Sequence, residues 1–125
     1  MDYIPEPRYF NVNKPLITGE GCSLVNTLFD CNDQITLGNF VSFGHDCSCL
    51  TGSHDYYKIN EERQNSIIRG PITIESGVWI ASNVTICMGV TIGKNSVICA
   101  GAVVIHDVPP NEMWGGVPAK FIKKI

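Results

Sequence analysis

The sequence predicts an all-β fold in which short strands wind into stacked coils. A branched apolar residue recurs at every sixth position over residues 74–104: Ile74, Ile80, Ile86, Ile92, Ile98 and Val104. A second series lies four residues after each of these: Val78, Val84, Val90, Ser96, Ala102 and Val108. A period of six matches neither the ~3.6 residues of a helical turn nor the ~2-residue alternation of a strand. It is typical of a parallel β-helix, in which each coil stacks on the previous one.

The same period extends towards the N-terminus, although less regularly. Its two series there are Val25, Cys31, Leu37, Phe43 and Cys49, and Phe29, Ile35, Val41, Cys47 and Ser53. Phenylalanine is large for these inward positions, so we expect this end of the coil to be less regular. Residues 1–20, with three prolines, are predicted to be an irregular segment that covers the first coil.

The period fails over residues 54–66, HDYYKINEERQNS. These residues are polar and carry both charges, so they cannot line the interior. Cys49 and Ile68 are nineteen residues apart, one more than three hexads, which indicates an insertion. A loop that interrupts a regular solenoid is often functional, and we predict an active-site loop here.

The C-terminal segment, residues 109–125, is predicted to cap the open end of the coil. Pro109 and Pro110 cannot donate to a ladder and should end the strand. A turn is expected around Gly115, Gly116 and Pro118, followed by a short cationic helix over residues 119–125.

Composition excludes several classes of protein. The 125 residues suit a single domain, and the apolar fraction of 44% is ordinary for a globular chain. The net charge of −3, without a basic stripe, does not favour nucleic-acid binding. The sequence begins with neither a signal peptide nor a membrane span, and we expect a soluble, cytoplasmic protein.

Six cysteines raise the question of a metal or of disulfides. Three of them, Cys31, Cys47 and Cys49, occupy inward positions, where cysteine behaves as a small hydrophobe. Cys47 and Cys49 form the only close pair, and no histidine pair completes a zinc pattern. We therefore expect neither a metal nor a disulfide framework.

Five ordered motifs in the C-terminal half carry a family resemblance. They are V-W-I, G-V-T-I-G, A-G-A-V-V, D-V-P-P and G-V-P-A-K. Residues 68–125 strongly resemble hexapeptide-repeat acetyltransferases, in particular galactoside and maltose O-acetyltransferases and related polysaccharide O-acetyltransferases. Residues 31–67 resemble them more loosely. The resemblance implies a left-handed parallel β-helix and a homotrimer with active sites between neighbouring subunits. It also implies acetyl transfer from acetyl-CoA, without a metal, to a hydroxyl or an amine.

His54 is the candidate catalytic residue. A sugar hydroxyl barely ionises at neutral pH, so its attack on a thioester needs a base, and histidine suits that task. His54 begins the interrupting loop and precedes Trp79 by twenty-five residues, which matches the position of the family's catalytic histidine. The alternative is a solvent-exposed loop histidine without a role. Asp55 could orient the imidazole or belong to a turn.

The resemblance also implies the residues that bind acetyl-CoA: Trp79, Ser82, Ala102, Lys120 and Lys123. Trp79 would line the cleft beside the pantetheine arm, although it could also pack in the trimer. Ser82 would face the thioester carbonyl, and Ala102 would let the arm lie against the coil. The two lysines would contact the phosphates of CoA, or simply form a cationic cap. His106 stands where the family often has a basic residue, and that contact stays open.

The acceptor is the least defined part of the prediction. A sugar or a glycan precursor is favoured, and its contacts could come from Asp30, Asn32, Tyr56, Tyr57 and Arg63. An antibiotic acetyltransferase is the runner-up, and a serine acetyltransferase fits less well. A γ-type carbonic anhydrase would have the same fold with three histidines that bind zinc between subunits, and this chain has three histidines but no H-x4-H pair. A non-catalytic trimeric scaffold is the remaining alternative.

Overall fold

The computed structural model describes residues 3–125, which contain sixteen short strands and one helix. In chain order they are β1 (Arg8–Phe10), β2 (Ile17–Thr18), β3 (Leu28–Asp30), β4 (Ile35–Leu37), β5 (Ser42–Phe43), β6 (Ser48–Leu50), β7 (Gly52–Ser53), α1 (Asn60–Asn65), β8 (Ile68–Arg69), β9 (Ile72–Ile74), β10 (Trp79–Ile80), β11 (Thr85–Cys87), β12 (Thr91–Ile92), β13 (Val97–Ile98), β14 (Val103–Val104), β15 (Glu112–Gly115) and β16 (Lys120–Lys124). Within this part of the chain no helix is long and apolar enough to span a bilayer.

Three sheets form the sides of a coil. The first face contains β1, β3, β6, β11 and β14, the second β2, β4, β9 and β12, and the third β5, β10, β13, β15 and β16. The consecutive strands β3, β4, β5 and β6 lie on the first, second, third and first face in turn. Strands of successive coils pair in parallel. The chain therefore winds as the six-residue period predicts.

The pairing register measures the length of one coil. After the loop, paired residues on all three faces are 18 residues apart: Thr73–Thr91, Trp79–Val97 and Thr85–Val103. Across the loop, the separation is 37 residues: Thr36–Thr73, Ser42–Trp79 and Ser48–Thr85. The 19 additional residues form an insertion between β6 and β9, and the ladder continues past it unshifted.

The interior confirms the two apolar series. All twelve residues predicted to face inward between positions 74 and 108 are at most 2% exposed. Ser96 is the polar member, and its Oγ donates to the Pro109 carbonyl at 2.6 Å and accepts from the Glu112 N–H at 3.1 Å. A buried hydroxyl with both partners costs little, so serine is tolerated in this series.

The turns between faces require left-handed backbone at every sixth residue. Positive φ angles of 59° to 80° occur at Gly77, Asn83, Gly89, Asn95 and Gly101. Glycine and asparagine adopt this conformation more readily than other residues. The corner positions therefore explain why glycine and asparagine alternate through the repeat.

The N-terminal end is less regular, as expected, but it is not without strands. Residues 1–20 were predicted to be irregular, whereas β1 and β2 extend the first and second faces by parallel pairing. The separations there are 20 and 19 residues instead of 18. Val25 is only half-buried and Ser53 is exposed, and the nearby Thr27 and Thr51 are buried instead. Residues 1 and 2 lie outside the described part of the chain.

The predicted C-terminal helix over residues 119–125 is wrong. After the prolines, β15 adds to the third face beside β13, and β16 folds back antiparallel to β15. The Val117–Pro118 peptide bond between these strands is cis. The open edge of β15 offers unpaired backbone groups, which a strand can satisfy and a helix cannot. Seven residues are also too few to stabilise an isolated helix.

The corners generate a stability prediction. Gly77 and Gly101 both have φ near +77° (76° and 78°), but an added Cβ would collide with Asn95 Oδ1 at Gly77 and meet open space at Gly101. Gly101→Ala should lower the free energy of unfolding by about 1–2 kcal/mol, the cost of left-handed backbone. Gly77→Ala should cost more, because Asn95 must also move. Urea denaturation measures both values.

The control for that comparison is Gly101→Asn. It should retain more stability than Gly101→Ala, because asparagine already occupies the equivalent corners at Asn83 and Asn95. Equal losses for Gly77→Ala and Gly101→Ala would contradict the proposed collision.

Candidate active site

The insertion closes on itself before it leaves the coil. β7 and β8 pair antiparallel, with Gly52 opposite Arg69 and Ser53 opposite Ile68. His54 is the first residue after β7, at the corner between the first and second faces, and its side chain is exposed. The coil ladder therefore fixes both ends of the loop, and the histidine stands at its rigid base.

A single hydrogen bond determines which tautomer the His54 imidazole adopts. His54 Nδ1 lies 2.6 Å from the carbonyl oxygen of Ser66. A carbonyl can only accept, so Nδ1 carries the proton. In the neutral ring Nε2 then has a free lone pair, which is the requirement for a general base.

Ser66, the partner of His54, is held from both sides of the loop. Its N–H donates to the carbonyls of Glu62 and Arg63 at the end of α1, at 3.0 and 3.3 Å. Its Oγ donates to the Arg63 carbonyl at 2.9 Å and accepts from the Asp55 N–H at 3.0 Å. The orientation of His54 therefore depends on the folded loop.

Asp55 is a turn residue and not the partner of the imidazole. Its Oδ1 accepts the N–H of Tyr57 at 3.0 Å. This contact is an Asx turn, which stabilises the start of the loop. The backbone carbonyl of Ser66, which no sequence pattern marks, orients His54 instead.

Arg63, named above as an acceptor contact, braces the loop. Its Nε donates to the Lys58 carbonyl at 2.6 Å and its Nη2 to the Tyr56 carbonyl at 2.9 Å. Tyr56 and Tyr57 are exposed, with ring centroids 4.5 Å apart. The guanidinium therefore has a structural role, whereas the two phenol rings remain available to a ligand.

A polar cleft of about 290 Å³ adjoins the histidine, and we call it the His54 cleft. Its lining residues are Asn11, Asp30, Asn32, Gly52, Ser53, His54 and Ile67. Asp30 Oδ1 accepts hydrogen bonds from Asn11 Nδ2 at 3.0 Å and from Asn32 Nδ2 at 3.1 Å. The cleft thus offers a fixed carboxylate and amide groups to hydroxyl-bearing ligands.

The structure brings Asp30 and Asn32 to His54, as the sequence suggested, and adds Asn11. Asn11 belongs to the segment that was predicted only to cover the coil. It lies nineteen residues before Asp30, to which it is hydrogen-bonded. Two further side-chain hydrogen bonds join residues at the same separation, Asn13 with Asn32 and Lys14 with Asp33. Polar pairs one coil apart were the signal that could have identified Asn11.

The candidate CoA contacts lie mainly on the third face. Trp79 projects outward from β10 and is 54% exposed, whereas its neighbour Ile80 is buried. Pairing runs from Trp79 to Val97, then to Met113 and Lys123, and we call these four residues the third-face row. With strand spacings of ~4.8 Å, the row is roughly 14 Å long. Lys120 is exposed on the same edge strand, opposite Gly115.

Ser82 lies at the corner between the third and first faces. Its Oγ accepts the His45 N–H at 3.0 Å. Ser76 makes the equivalent contact to the Asn39 N–H at 2.9 Å, so this contact is a repeated feature of the coil. A hydroxyl that accepts one hydrogen bond still has its own proton to donate.

Ala102 lies at the inward position that the six-residue period predicts, and its role beside CoA stays a prediction. Its side chain is fully buried in the interior, so it cannot contact a ligand on the outer surface. Its small size serves the packing of the narrow coil. The exposed small residues at this corner are Ala100 and Gly101, which the sequence reasoning missed.

One chain does not bring the candidate groups together. His54 stands at the corner between the first and second faces, and in a three-sided coil that corner lies opposite the third face. Trp79 and both lysines are on that third face. His45 and His106 are exposed and do not line the His54 cleft.

The buried cysteine thiols are poor candidates for a nucleophile. Burial raises the pKa of the thiols of Cys31, Cys47 and Cys49. Thiols that stay protonated are poor nucleophiles. In residues 3–125 no three His, Cys, Asp or Glu side chains cluster closely enough to hold a metal ion.

Comparisons with known proteins agree with this architecture. Residues 65–106 match the family described as bacterial transferase hexapeptide (six repeats). The galactoside O-acetyltransferase of Escherichia coli (strain K12) is 35% identical over 125 residues, covering 98% of this chain and 61% of that protein.

Two solved structures superpose closely. A hexapeptide-repeat acetyltransferase from Vibrio cholerae O1 biovar eltor, complexed with acetyl coenzyme A, gives a TM-score of 0.85 at 34% identity, covering 93% of this chain and 63% of that one. A maltose O-acetyltransferase from Clostridium difficile 630 gives 0.84 at 32% identity, covering 96% and 64%. This chain spans less than two thirds of the length of each of these three proteins. Its coil is built from six-residue repeats, and along nearly its whole length the chain resembles acetyltransferases built on that repeat.

Proposed function

We propose that this chain is an acetyl-CoA-dependent O-acetyltransferase that acts on a hydroxyl of a sugar or glycan precursor. The observation that carries the proposal is the contact between His54 Nδ1 and the Ser66 carbonyl, which leaves Nε2 free beside a polar cleft. The similarity to a galactoside and a maltose O-acetyltransferase supports a sugar acceptor. The resemblance to an acetyl-CoA complex supports the donor.

The mechanism is direct transfer. Nε2 of His54 takes the proton of the acceptor hydroxyl as its oxygen attacks the thioester carbonyl. The carbonyl oxygen becomes an oxyanion, which the Ser82 hydroxyl stabilises by donating its hydrogen. The intermediate then expels the CoA thiolate, which recovers the proton from the imidazolium. An acetyl ester and the free thiol of CoA result, and no metal is needed.

Acetyl-CoA lies along the third-face row in this proposal. The exposed ring of Trp79 supports the pantetheine arm. Lys123 at the other end of the row and Lys120 on the same strand neutralise the phosphates. Backbone at Ala100, Gly101 and Ala102 offers a close approach without side chains in the way. His106, also exposed, has no assigned contact.

The complete site forms between subunits of a homotrimer of left-handed coils. A cleft that contains both His54 and the third-face row needs two chains, because these groups lie on opposite sides of one coil. Head-to-tail contacts of this kind close into a ring.

All six cysteines are free, which fits the reducing cytoplasm, where we place the protein.

Replacement of His54 tests the base. His54→Ala should lower acceptor-dependent thiol release from acetyl-CoA by about 10²–10⁴-fold. His54→Asn should lose as much rate, although its amide can still donate to the Ser66 carbonyl in place of Nδ1. The assay uses sugars, nucleotide sugars and antibiotics as acceptors, so it also separates a sugar enzyme from an antibiotic-modifying one.

The matched control is Glu61→Ala, an exposed substitution on α1 of the same loop. It should retain wild-type thiol release. If His54→Asn kept wild-type activity, histidine would only anchor the loop. Absence of both turnover and CoA binding in the wild type would favour a scaffold.

Ser82 and Ser76 form a matched pair for the oxyanion role. Both hydroxyls accept a backbone N–H across one coil, so each alanine variant should lose similar stability. Only Ser82→Ala should lower kcat, by about 10²–10³-fold, with little change in the KM for acetyl-CoA. Equal kcat values for the two variants would remove Ser82 from the mechanism.

Mixed trimers test the shared site. His54→Ala and Trp79→Ala should each have little activity alone. Coexpressed in equal amounts, they should recover about one quarter of wild-type activity, because half the subunits supply His54 and half supply Trp79 across each interface. No recovery in demonstrated mixed trimers would mean that both groups act within one chain.

A further inference from the structure

A second cavity, which the mechanism above does not use, adjoins the His54 cleft. It has a volume of about 320 Å³ and is lined by Asn13, Lys14, Asn32, Asp33 and Arg69. We call it the Arg69 cavity. Asn32 lines both spaces. On the side of the His54 cleft its Nδ2 donates to Asp30 Oδ1, and on the other side its Oδ1 accepts from Asn13 Nδ2 at 3.5 Å. The two cavities are therefore neighbours that share the Asn32 side chain as a wall, and we call the pair the groove.

The base of the insertion aligns the two cavities. Arg69 pairs with Gly52, which lines the His54 cleft, and Gly52 lies against the Asn32 side chain. Ile67 and Arg69 are two residues apart on an extended segment, so they project to the same side. Ile67 lines the cleft. From ladder and strand spacings, the Cα atoms of His54 and Arg69 are roughly 8 Å apart.

The Arg69 cavity is lined by two cationic side chains, Lys14 and Arg69, and by the carboxylate of Asp33. Lys14 Nζ contacts Asp33 Oδ1 at 3.1 Å, and the same oxygen accepts the Gln34 N–H at 2.7 Å. These bonds hold the pKa of the Asp33 carboxyl below its usual value, the Gln34 N–H contributing most. Asp33 therefore stays charged, and it compensates Lys14 by direct contact and Arg69 in part through a longer-range attraction. The two cations and one carboxylate leave the cavity with a surplus of one positive charge. Within residues 3–125 no carboxylate lies within ion-pair distance of the exposed Arg69 guanidinium.

We propose that the acceptor is a saccharide carrying an anionic group, a phosphate or a carboxylate, which binds Arg69 and Lys14 while a neighbouring hydroxyl reaches His54. This inference rests on the proposed function and specifies its substrate class. The planar guanidinium presents paired donors that match either anion, and such charge-assisted bonds are stronger than neutral ones.

Charge also sets the orientation of that acceptor. The titratable groups of the groove are Asp30 and His54 at one end and Lys14, Asp33 and Arg69 at the other. Each end holds one carboxylate, but at the Arg69 end the two cations outweigh Asp33, whereas at the His54 end Asp30 has no cation beside it in the lining. An anion is therefore favoured at the Arg69 end, and Asp30 accepts hydrogen bonds from hydroxyls. A neutral sugar gains nothing from the cations, so the groove favours an anionic sugar over its neutral counterpart.

The test compares matched acceptors: glucose, glucuronate and glucose 6-phosphate, with galactose and its acidic counterparts as a second set. The wild type should show a KM at least about tenfold lower for an acidic sugar than for the neutral one, a preference that salt weakens. Arg69→Gln should raise the KM of the acidic sugar about tenfold and leave the neutral sugar unchanged. Lys94→Gln, an exposed cation elsewhere on the coil, is the control and should change neither.

Binding without turnover separates this inference from the proposed function. Calorimetry at low salt should show that the His54→Ala variant binds the acidic sugars more tightly than it binds glucose. Adding Arg69→Gln to His54→Ala should abolish this difference in affinity. Tight acidic binding without acetyl transfer by the wild type would keep the groove assignment and overturn the acetyltransferase. Acetyl transfer with equal KM values for acidic and neutral sugars would overturn the anionic acceptor alone. Comparing the KM and the affinity of glucuronate with those of glucose 6-phosphate shows whether the groove prefers a carboxylate or a phosphate.

Discussion

The parallel ladder between successive coils is the constraint on which the rest of the molecule depends. After the loop it fixes 18 residues per turn, with inward residues at set places on each face. Because the interior is narrow, branched aliphatic residues alternate there with smaller ones, and a polar residue such as Ser96 enters only with its hydrogen bonds satisfied. Because the corners need left-handed backbone, glycine and asparagine occur there every six residues. An insertion is tolerated only where its two ends meet again, and the pairing of β7 with β8 meets that requirement.

The same constraint places the chemistry on the outside. A filled coil has no internal cavity for a substrate, so functional groups can stand only on outward rows, at corners or on insertions. Trp79 and the lysines use an outward row of the third face, and His54 uses the insertion at the opposite corner. A straight prism cannot fold these two sides together. The proposed site, which uses both, would therefore be built by assembly, and this is the physical reason for the homotrimer that we propose.

Sequence reasoning succeeded where the ladder dictates the residues and failed where local contacts decide. The inward series, the position of the break and the exposure of Trp79 follow from a six-residue period. The strand β16 does not, because a short cationic segment forms a strand only when an unpaired edge lies beside it. The inward position of Ala102 follows from the same period, whereas its role beside CoA rests on the family resemblance alone. Asn11 was missed because its partner lies a full coil away, and the Ser66 carbonyl because a backbone atom leaves no trace in the residue pattern.

The two ends of the insertion carry the two groups that we assign to the acceptor. His54 follows β7 and Arg69 ends β8, and both strands continue directly into the coil. The distance between base and anion site is therefore set by the same hydrogen bonds that stabilise the fold, and not by movement of the loop. Between them, α1 and Arg63 hold Ser66 in place, so the imidazole is oriented before any ligand binds. In the function that we propose, a preorganised base beside a preorganised cation would select a substrate by the distance between its hydroxyl and its negative charge. Because the pairing of β7 with β8 sets that distance, substitutions elsewhere in the loop would leave it intact.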